Sequence, residues 1–228
     1  MKILAMDTSN KALSLAILEN KELLGQVTLN IKKNHSITLM PAIDFLMNSL
    51  DLKPKDLDRI AVAQGPGSYT GLRIAVATAK TLAHTLKIEL VGVSSLLALV
   101  PEQVEGLVIP IMDARRNNVY AGFYQSGQAV RPEAHLPLVE VLEIAGAANQ
   151  PVTFVGETAA FSEQIKAALP QTAIQPTLPD AAVVGRLGLD LPAQSIHDFV
   201  PNYLKRVEAE ENWLKTHQES SDSYIQRL

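Results

Sequence analysis

Apolar and polar positions alternate in short runs at the start of the chain. Ile3–Met6 is an apolar run that closes on a polar turn, Asp7-Thr8-Ser9-Asn10-Lys11, and Leu13, Leu15 and Ile17 then stand at every second position. That period of two predicts a strand, a turn and a second strand. Glu19-Asn20-Lys21 makes another turn, and Leu23 to Leu29 reads as a third strand, so the simplest arrangement is an antiparallel meander.

The period changes at Ser36. Leu39, Met40, Ile43, Leu46, Met47 and Leu50 recur at helical spacing and predict a helix over residues 36–50. Thr38 is a candidate N-cap for it, which would place Pro41 in the first turn, where a missing N–H costs least. Arg59 to Gln64 reads as a strand, Gly65 to Thr70 as a loop and Gly71 to Leu86 as a second helix. Leu90 to Val93 then reads as a strand and Ser94 to Val100 as a short helix.

The opening pattern then recurs. Leu107-Val108-Ile109-Pro110-Ile111-Met112 closes on Asp113 and a polar turn, and Val119, Ala121 and Phe123 follow Asp113 at the distances at which Leu13, Leu15 and Ile17 follow Asp7. One supersecondary unit is present twice. Helices are predicted at Leu138–Ala148, Glu157–Leu169 and Asp180–Leu189, with a strand at Val152–Val155. The reading is therefore an N-terminal lobe over 1–104, a C-terminal lobe over 105–205 and a tail over 206–228, expected to be mobile or partly helical.

The helix at 36–50 carries more apolar surface than one sheet needs. Leu39, Ile43, Leu46 and Leu50 form one stripe, flanked by Met40, Ala42 and Met47, while Ile37 and Phe45 lie on the opposite side. Apolar residues on two sides imply a second buried contact. The helix at 71–86 adds the small residues Ala75, Ala77, Ala79 and Ala83, which allow close approach of another helix. Together the two build half of a four-helix interface with another chain or, alternatively, a deeply buried pair in one core. The interface reading is preferred, because the chain is too short to wrap both lobes fully.

Composition narrows the classes. The 228 residues are 47% hydrophobic and 19% charged, a balance that excludes a disordered or collagen-like chain. The formal net charge of −4 argues against a general nucleic-acid coat protein. The charge is uneven: residues 1–104 carry 11 Lys/Arg and 9 Asp/Glu, residues 105–228 carry 9 and 15. With no cysteine, disulfides, thiolate zinc sites and cysteine nucleophiles are excluded. No apolar run has the length of a signal h-region or membrane span, so no membrane contact is expected and cytoplasmic location is the default.

The stretch Gly65-Pro66-Gly67-Ser68-Tyr69-Thr70-Gly71-Leu72-Arg73 joins a strand to a helix. It lacks the Gly-Lys of a phosphate-binding P-loop and the third glycine of a dinucleotide fingerprint. Two readings stand: an anion site at a helix start, or a tight turn capped by Ser68 or Thr70. Asp7 and Asp113, at matching strand ends, could hold a metal–phosphate group between lobes, although each also suits the simpler role of capping its own turn, which is favoured. An anion or nucleotide site would draw on Asp7, Ser9, Gly65, Gly67, Ser68 and Asp113. The five histidines show no local metal-binding spacing.

Taken together, these segments resemble the TsaB (YeaZ) family. The resemblance is carried by Met6-Asp7-Thr8-Ser9, by His35-Ser36-x-Thr38-Leu39-Met40-Pro41-Ala42-Ile43, and by the stretch from Gly65 to Arg73. Gly92-Val93-Ser94-Ser95-Leu96, Met112-Asp113-Ala114-Arg115-Arg116, Pro201-x-Tyr203-Leu204 and Glu208-Ala209-Glu210-x-x-x-Trp213 continue it in family order. It implies an α/β, two-lobed actin/Hsp70/sugar-kinase-like fold with duplicated mixed-sheet lobes flanked by helices. It further implies a non-catalytic scaffold subunit for making N6-threonylcarbamoyladenosine at position 37 of tRNA. Such a subunit pairs with the catalytic paralogue TsaD and the ATPase TsaE, meets tRNA through that complex, and forms homodimers when alone. The expected partner-contact residues are Leu39, Met40, Ile43, Leu46, Met47, Tyr69, Arg73, Val76, Ala77 and Lys80. Where TsaD carries two metal-binding histidines, the matching positions here are Ser95 and Leu99, so neither a metal nor a cofactor is expected. Gly156-Glu157 departs from the family's Gly-Asp-Gly-like turn. The alternative reading is an ATP-dependent phosphotransferase or ATPase of the same fold.

Overall fold

The computed structural model describes residues 1–30, 34–101 and 103–205. The chain builds two five-stranded sheets of matching topology. In the first, β1 (Lys2–Asp7), β2 (Leu13–Glu19) and β3 (Glu22–Leu29) form the predicted meander, and β4 (Arg59–Gly65) and β5 (Glu89–Ser94) extend it in the order β3-β2-β1-β4-β5. In the second, β6 (Leu107–Asp113), β7 (Asn118–Gln125), β8 (Gln128–Pro137), β9 (Val152–Gly156) and β10 (Ala173–Pro176) stand in the order β10-β9-β6-β7-β8. β1 runs antiparallel to β2 and parallel to β4, and β6 runs antiparallel to β7 and parallel to β9. The repeat read from two aspartates thus covers both sheets. The strands β8 and β10, absent from the sequence reading, are its missing members.

The helices follow the same plan with shifted ends. α1 spans His35–Ser49, and its N-cap is Asn34, whose side chain accepts the Ser36 N–H at 3.0 Å. The expected cap, Thr38, instead lies one turn inside and donates its hydroxyl to the Asn34 carbonyl. Pro41 therefore sits inside the helix rather than in its first turn. α2 spans Tyr69–Leu86 and is capped by Ser68, whose hydroxyl accepts the Gly71 N–H. Ser94–Val100 forms only a 3-10 turn at Leu97–Leu99. After α3 (Leu138–Gly146), the helix expected at 157–169 divides into a 3-10 turn at Ala159–Phe161 and α4 (Ser162–Ala168). α5 (Ala181–Asp190) is capped by Asp180.

The alternation of strand side chains assigns each face of the first sheet a cover. Leu4, Met6, Leu15, Ile17, Ile60 and Val62 pack on α1 and α2. Ile3, Ala5, Ala16, Leu18, Ala61 and Val91 pack on α5. This changes the expected second lobe: α5 falls within 105–205 but covers the first sheet. The chain also returns there after α5, where Phe199 enters the core beneath α1 and α2. The second sheet packs one face on α3 and α4. Its other face meets Leu96, Leu99 and Val100 of the linker between sheets. A polar link joins the sheets as well: Ser94 Oγ and Tyr124 OH both donate to Glu133 Oε1. Burial and that carboxylate push the Tyr124 phenol far above its ordinary pKa. Among the described residues, no helix is long and apolar enough to cross a membrane.

Candidate functional site

Two regions singled out by the sequence lie side by side at one end of the first sheet. The turn after β1 is where they meet. His35 Nε2, at the start of α1, is 3.0 Å from the Asn10 carbonyl oxygen, and the Ser68 N–H, at the start of α2, donates to the Ser9 carbonyl at 2.6 Å. The N-termini of both helices therefore flank the Asp7–Asn10 turn.

The glycine loop is closed by this turn. A side chain at Gly67 would stand 2.3 Å from the Ser9 carbonyl oxygen, and one at Gly71 would stand 2.0 Å from that of Thr8. Thr8 Oγ1 in turn donates to the Gly71 carbonyl at 2.7 Å. At Gly65 the near atom is the Asn202 carbonyl oxygen, and the Gly65 N–H is taken by Ser95 Oγ at 3.1 Å. These glycines let backbone carbonyls come close. Carbonyl oxygens present partial negative charge, the wrong sign to cradle an anion.

Asp7 lies at the bottom of this arrangement, fully buried. Its Oδ1 accepts the Ser9 N–H at 2.7 Å, the turn-capping role favoured from sequence. Its Oδ2 and the Ser9 hydroxyl are buried without a hydrogen-bond partner of standard geometry. Burial raises the Asp7 pKa, against the opposing influence of Ser9 and the nearby His35. Asp113 repeats the turn on the second sheet, with Oδ1 accepting the Arg115 N–H at 2.7 Å, but it is exposed. The structure thus gathers Asp7, Ser9, Gly67 and Ser68 into one packed corner, with Gly65 held by Ser95 beside it and Asp113 on the other sheet. Leu99, like Ser95, is buried. Among the described residues no three His, Asp or Glu side chains gather as metal ligands would.

The ten expected contact residues separate into two groups. Leu39, Ile43, Leu46, Met47 and Val76 point into the chain's own core and present almost no surface. Met40, Tyr69, Arg73 and Ala77 face outward, and Lys80 is half-buried. Ile37 and Phe45, which the sequence reading set on the opposite side of α1 but left out of the contact set, complete the outer face. Ile37, Phe45 and Met40 are 68%, 62% and 48% exposed. The signal that locates them was the second apolar side of the helix.

The outward residues of α2 are gripped by the returning chain, a feature the sequence reading missed. Tyr203 stacks on Tyr69 with ring centroids 5.0 Å apart, and Arg73 lies over the Tyr69 ring at 4.4 Å. Arg73 Nε donates to Tyr203 OH at 3.1 Å. Lys80 Nζ donates to the carbonyls of His197 and Phe199 at 3.0 and 2.8 Å. Asn202 N–H donates to the Gln64 carbonyl, and Gln64 Nε2 to that of Val200. Residues 194–203 form a strap that ties down α2.

Comparison with known proteins places the chain in a family. A family model described as "TsaD: tRNA N6-adenosine threonylcarbamoyltransferase" matches residues 22–213. The tRNA threonylcarbamoyladenosine biosynthesis protein TsaB of Bacillus subtilis is 41% identical over 95% of this chain and 99% of its own. The chain belongs to the TsaD family of that model and, within it, to the TsaB (YeaZ) branch. YeaZ from Pseudomonas aeruginosa superposes with a TM-score of 0.75 at 28% identity, over 89% of this chain and 99% of that one. The ethanolamine utilization protein EutJ from Carboxydothermus hydrogenoformans, 15% identical with a TM-score of 0.51 over 83% of this chain and 89% of its own, shares the fold alone. The architecture is the α/β one expected, with two repeated five-stranded mixed sheets flanked by helices.

Proposed function

We propose that this chain is the non-catalytic dimerisation and scaffold subunit of the machinery that makes N6-threonylcarbamoyladenosine at position 37 of tRNA. In this reading it pairs with a TsaD-type catalytic subunit and an ATPase of the TsaE type, and it meets tRNA through their complex. The observation that carries the reading is the outer face of α1, where Ile37, Met40 and Phe45 stand exposed on one helix. An exposed apolar group of this kind, continued on α2 by Tyr69 and Ala77, suits a protein partner. The same face serves a homodimer when the partner is missing. Ser95 and Leu99, standing where the catalytic paralogue holds its metal-binding histidines, agree with a subunit that does no transfer itself.

One observation favours the rival reading, an ATP-dependent phosphotransferase or ATPase. Asp7 is buried beside the glycine loop with one oxygen unpartnered. Against it, the Thr8 and Ser9 carbonyl oxygens pack directly on Gly71 and Gly67, so these glycines meet backbone of the wrong sign for an anion. Calorimetry of the isolated chain with Mg-ATP separates the two: the scaffold reading predicts no turnover, and tight binding with turnover would favour the enzyme. The direct test is a threonylcarbamoylation assay with purified subunits, each omitted in turn. Omitting this chain should abolish product although the TsaD-type subunit is present. Undiminished product without it would refute the proposal.

A further inference from the structure

The turn after β6 differs from the turn after β1 that it repeats. Asp7–Asn10 is buried beside the starts of α1 and α2, whereas Asp113, Arg115, Arg116 and Asn117 are exposed. The second turn is also strained. Arg115, Arg116 and Asn117 have φ of 67°, 53° and 57°, three successive non-glycine residues in the left-handed region. There a Cβ crowds the following carbonyl oxygen, and of the three only the asparagine enters it readily. Among the described residues the other left-handed non-glycine positions, Asn20, Asp51, Lys87 and Ser126, each stand singly.

Such a conformation persists only where its surroundings over-determine it. Here they do. Asp113 Oδ1 accepts the Arg115 N–H at 2.7 Å, and Asn118 Nδ2 donates to the Arg115 and Arg116 carbonyls at 3.3 and 3.1 Å. The Ala114 N–H donates to the Asn118 carbonyl and the Asn118 N–H to that of Arg115, both at 3.0 Å. Asn117 is held from outside the turn. Its carbonyl accepts the Leu138 N–H of α3 at 3.0 Å, and its Oδ1 accepts from Gln164 Nε2 of α4 at 3.1 Å. The backbone is thereby fixed in a strained shape that sets two successive arginines at the surface.

The surroundings set this pair apart. From Glu105 to Leu204 the chain carries five cationic side chains, Arg115, Arg116, Arg131, Lys166 and Arg186, against ten carboxylates, and only Arg115 and Arg116 are adjacent. The carboxylates at the turn, Asp113 and Glu157, each accept a backbone N–H, from Arg115 and Asp113 respectively. One basic pair in an acidic stretch suits a local contact with phosphate, not a broad nucleic-acid coat. Arginine suits that contact, because its planar fork of donors takes phosphate oxygens two at a time. We propose that Arg115 and Arg116 contact phosphates of the tRNA backbone directly, which makes this chain itself part of the tRNA-binding surface. The proposal rests on the function proposed above and sharpens it, from tRNA met through the complex to tRNA met by two named side chains.

The test is fluorescence anisotropy of a labelled substrate tRNA, titrated with the complex of this chain and its TsaD-type and TsaE-type subunits over a range of KCl concentrations. Arg115→Gln/Arg116→Gln should weaken binding about tenfold and flatten the slope of log affinity against log salt by about two, one for each phosphate contact. Each single substitution should flatten it by about one. Arg131→Gln removes the same charge from the exposed part of β8 and should leave the slope unchanged. Sedimentation of each complex and the Tm of each chain should match those of the unmodified protein.

Unchanged affinity and slope in the double variant would overturn the proposal. So would an equal change from Arg131→Gln, which would make the effect one of bulk charge. A complex that falls apart in the double variant would assign the pair to an acidic face of a partner subunit, and substitutions that unfold the chain would make the arginines structural; either result overturns the proposal. If the unmodified complex binds no tRNA, the proposed function falls as well. If it binds and the double variant binds equally, the scaffold reading stands and only the arginine contact is lost.

Discussion

Leu46 and Phe45 are neighbours in sequence and opposites in structure. Leu46 points down from α1 into the core shared with the first sheet, while Phe45 points away from it and remains largely exposed. The same division runs along the helix, with Leu39, Ala42, Ile43 and Met47 inside and Ile37 and Met40 outside. Helical periodicity alone registers both sets as apolar. The sheet beneath needs only the inner stripe, worth about 1.5–3 kcal/mol for each large side chain fully buried. The outer residues stand outside that core, so their presence calls for a second contact. The comparison separates what folds this protein from what it offers to another molecule.

The sharpest way to break the comparison is Ile43→Glu. Ile43 is expected from sequence at the partner interface; its burial predicts instead an uncompensated charge in the core, a loss of about 3–5 kcal/mol. Thermal unfolding followed by circular dichroism checks this, and a native transition with lost pairing would put Ile43 at the interface after all. Next in size, Leu46→Ala should cost about 2–5 kcal/mol through the cavity it leaves, while Phe45→Ala next to it should leave the unfolding free energy almost unchanged. Urea titrations of the two variants in parallel measure the contrast directly, and equal losses would erase it.

Asp7 gives a smaller effect with a definite sign. Burial raises its pKa above that of the unfolded chain, so the folded state holds the proton more tightly. Its contribution to stability is therefore greatest below the ordinary carboxylate range and falls as pH rises through the window up to the raised value. Asp7→Asn keeps an oxygen for the Ser9 N–H and removes the buried charge. The variant's Tm should lose this fall with rising pH and exceed that of the unmodified chain at neutral pH. A lower Tm at neutral pH would show that the carboxylate is stabilised where it lies. The smallest effect is expected from Arg73→Ala on the outer face of α2. It should leave Tm close to that of the unmodified chain but speed amide exchange across residues 197–203, because Arg73 anchors the strap through Tyr203.

Much of this was legible in residue patterns, and the gaps have physical reasons. The period-two runs ending at Asp7 and Asp113 exposed the duplication, because an apolar strand closed by a self-capping aspartate is a local signal. β8 and β10 escaped notice: β8 is largely exposed over Gln128–Pro132 and β10 has only four residues, so neither shows a buried alternation. The repeat supplied what local pattern lacked, since β3 and β5 have counterparts only if these strands exist. The cap of α1 was missed because Asn34, Ser36 and Thr38 are all capable cap residues, and geometry decides among them. The strap was out of reach for a different reason. Pro201-x-Tyr203 was visible as a motif, but its partners Gln64, Tyr69 and Arg73 lie more than a hundred residues earlier. In the glycine loop, sequence pointed equally to an anion and to a turn; the carbonyls of Thr8 and Ser9 that pack on Gly71 and Gly67 come from another segment.

The account depends most on the outer face of α1 being where the partner binds. The measurement that tests it most directly is the equilibrium affinity of the Met40→Asp/Phe45→Asp double variant for a TsaD-type subunit, taken alongside its Tm. A central apolar anchor replaced by charge should weaken binding by at least about a hundredfold, with Tm held at that of the unmodified chain. Unweakened binding by a folded double variant would contradict the account.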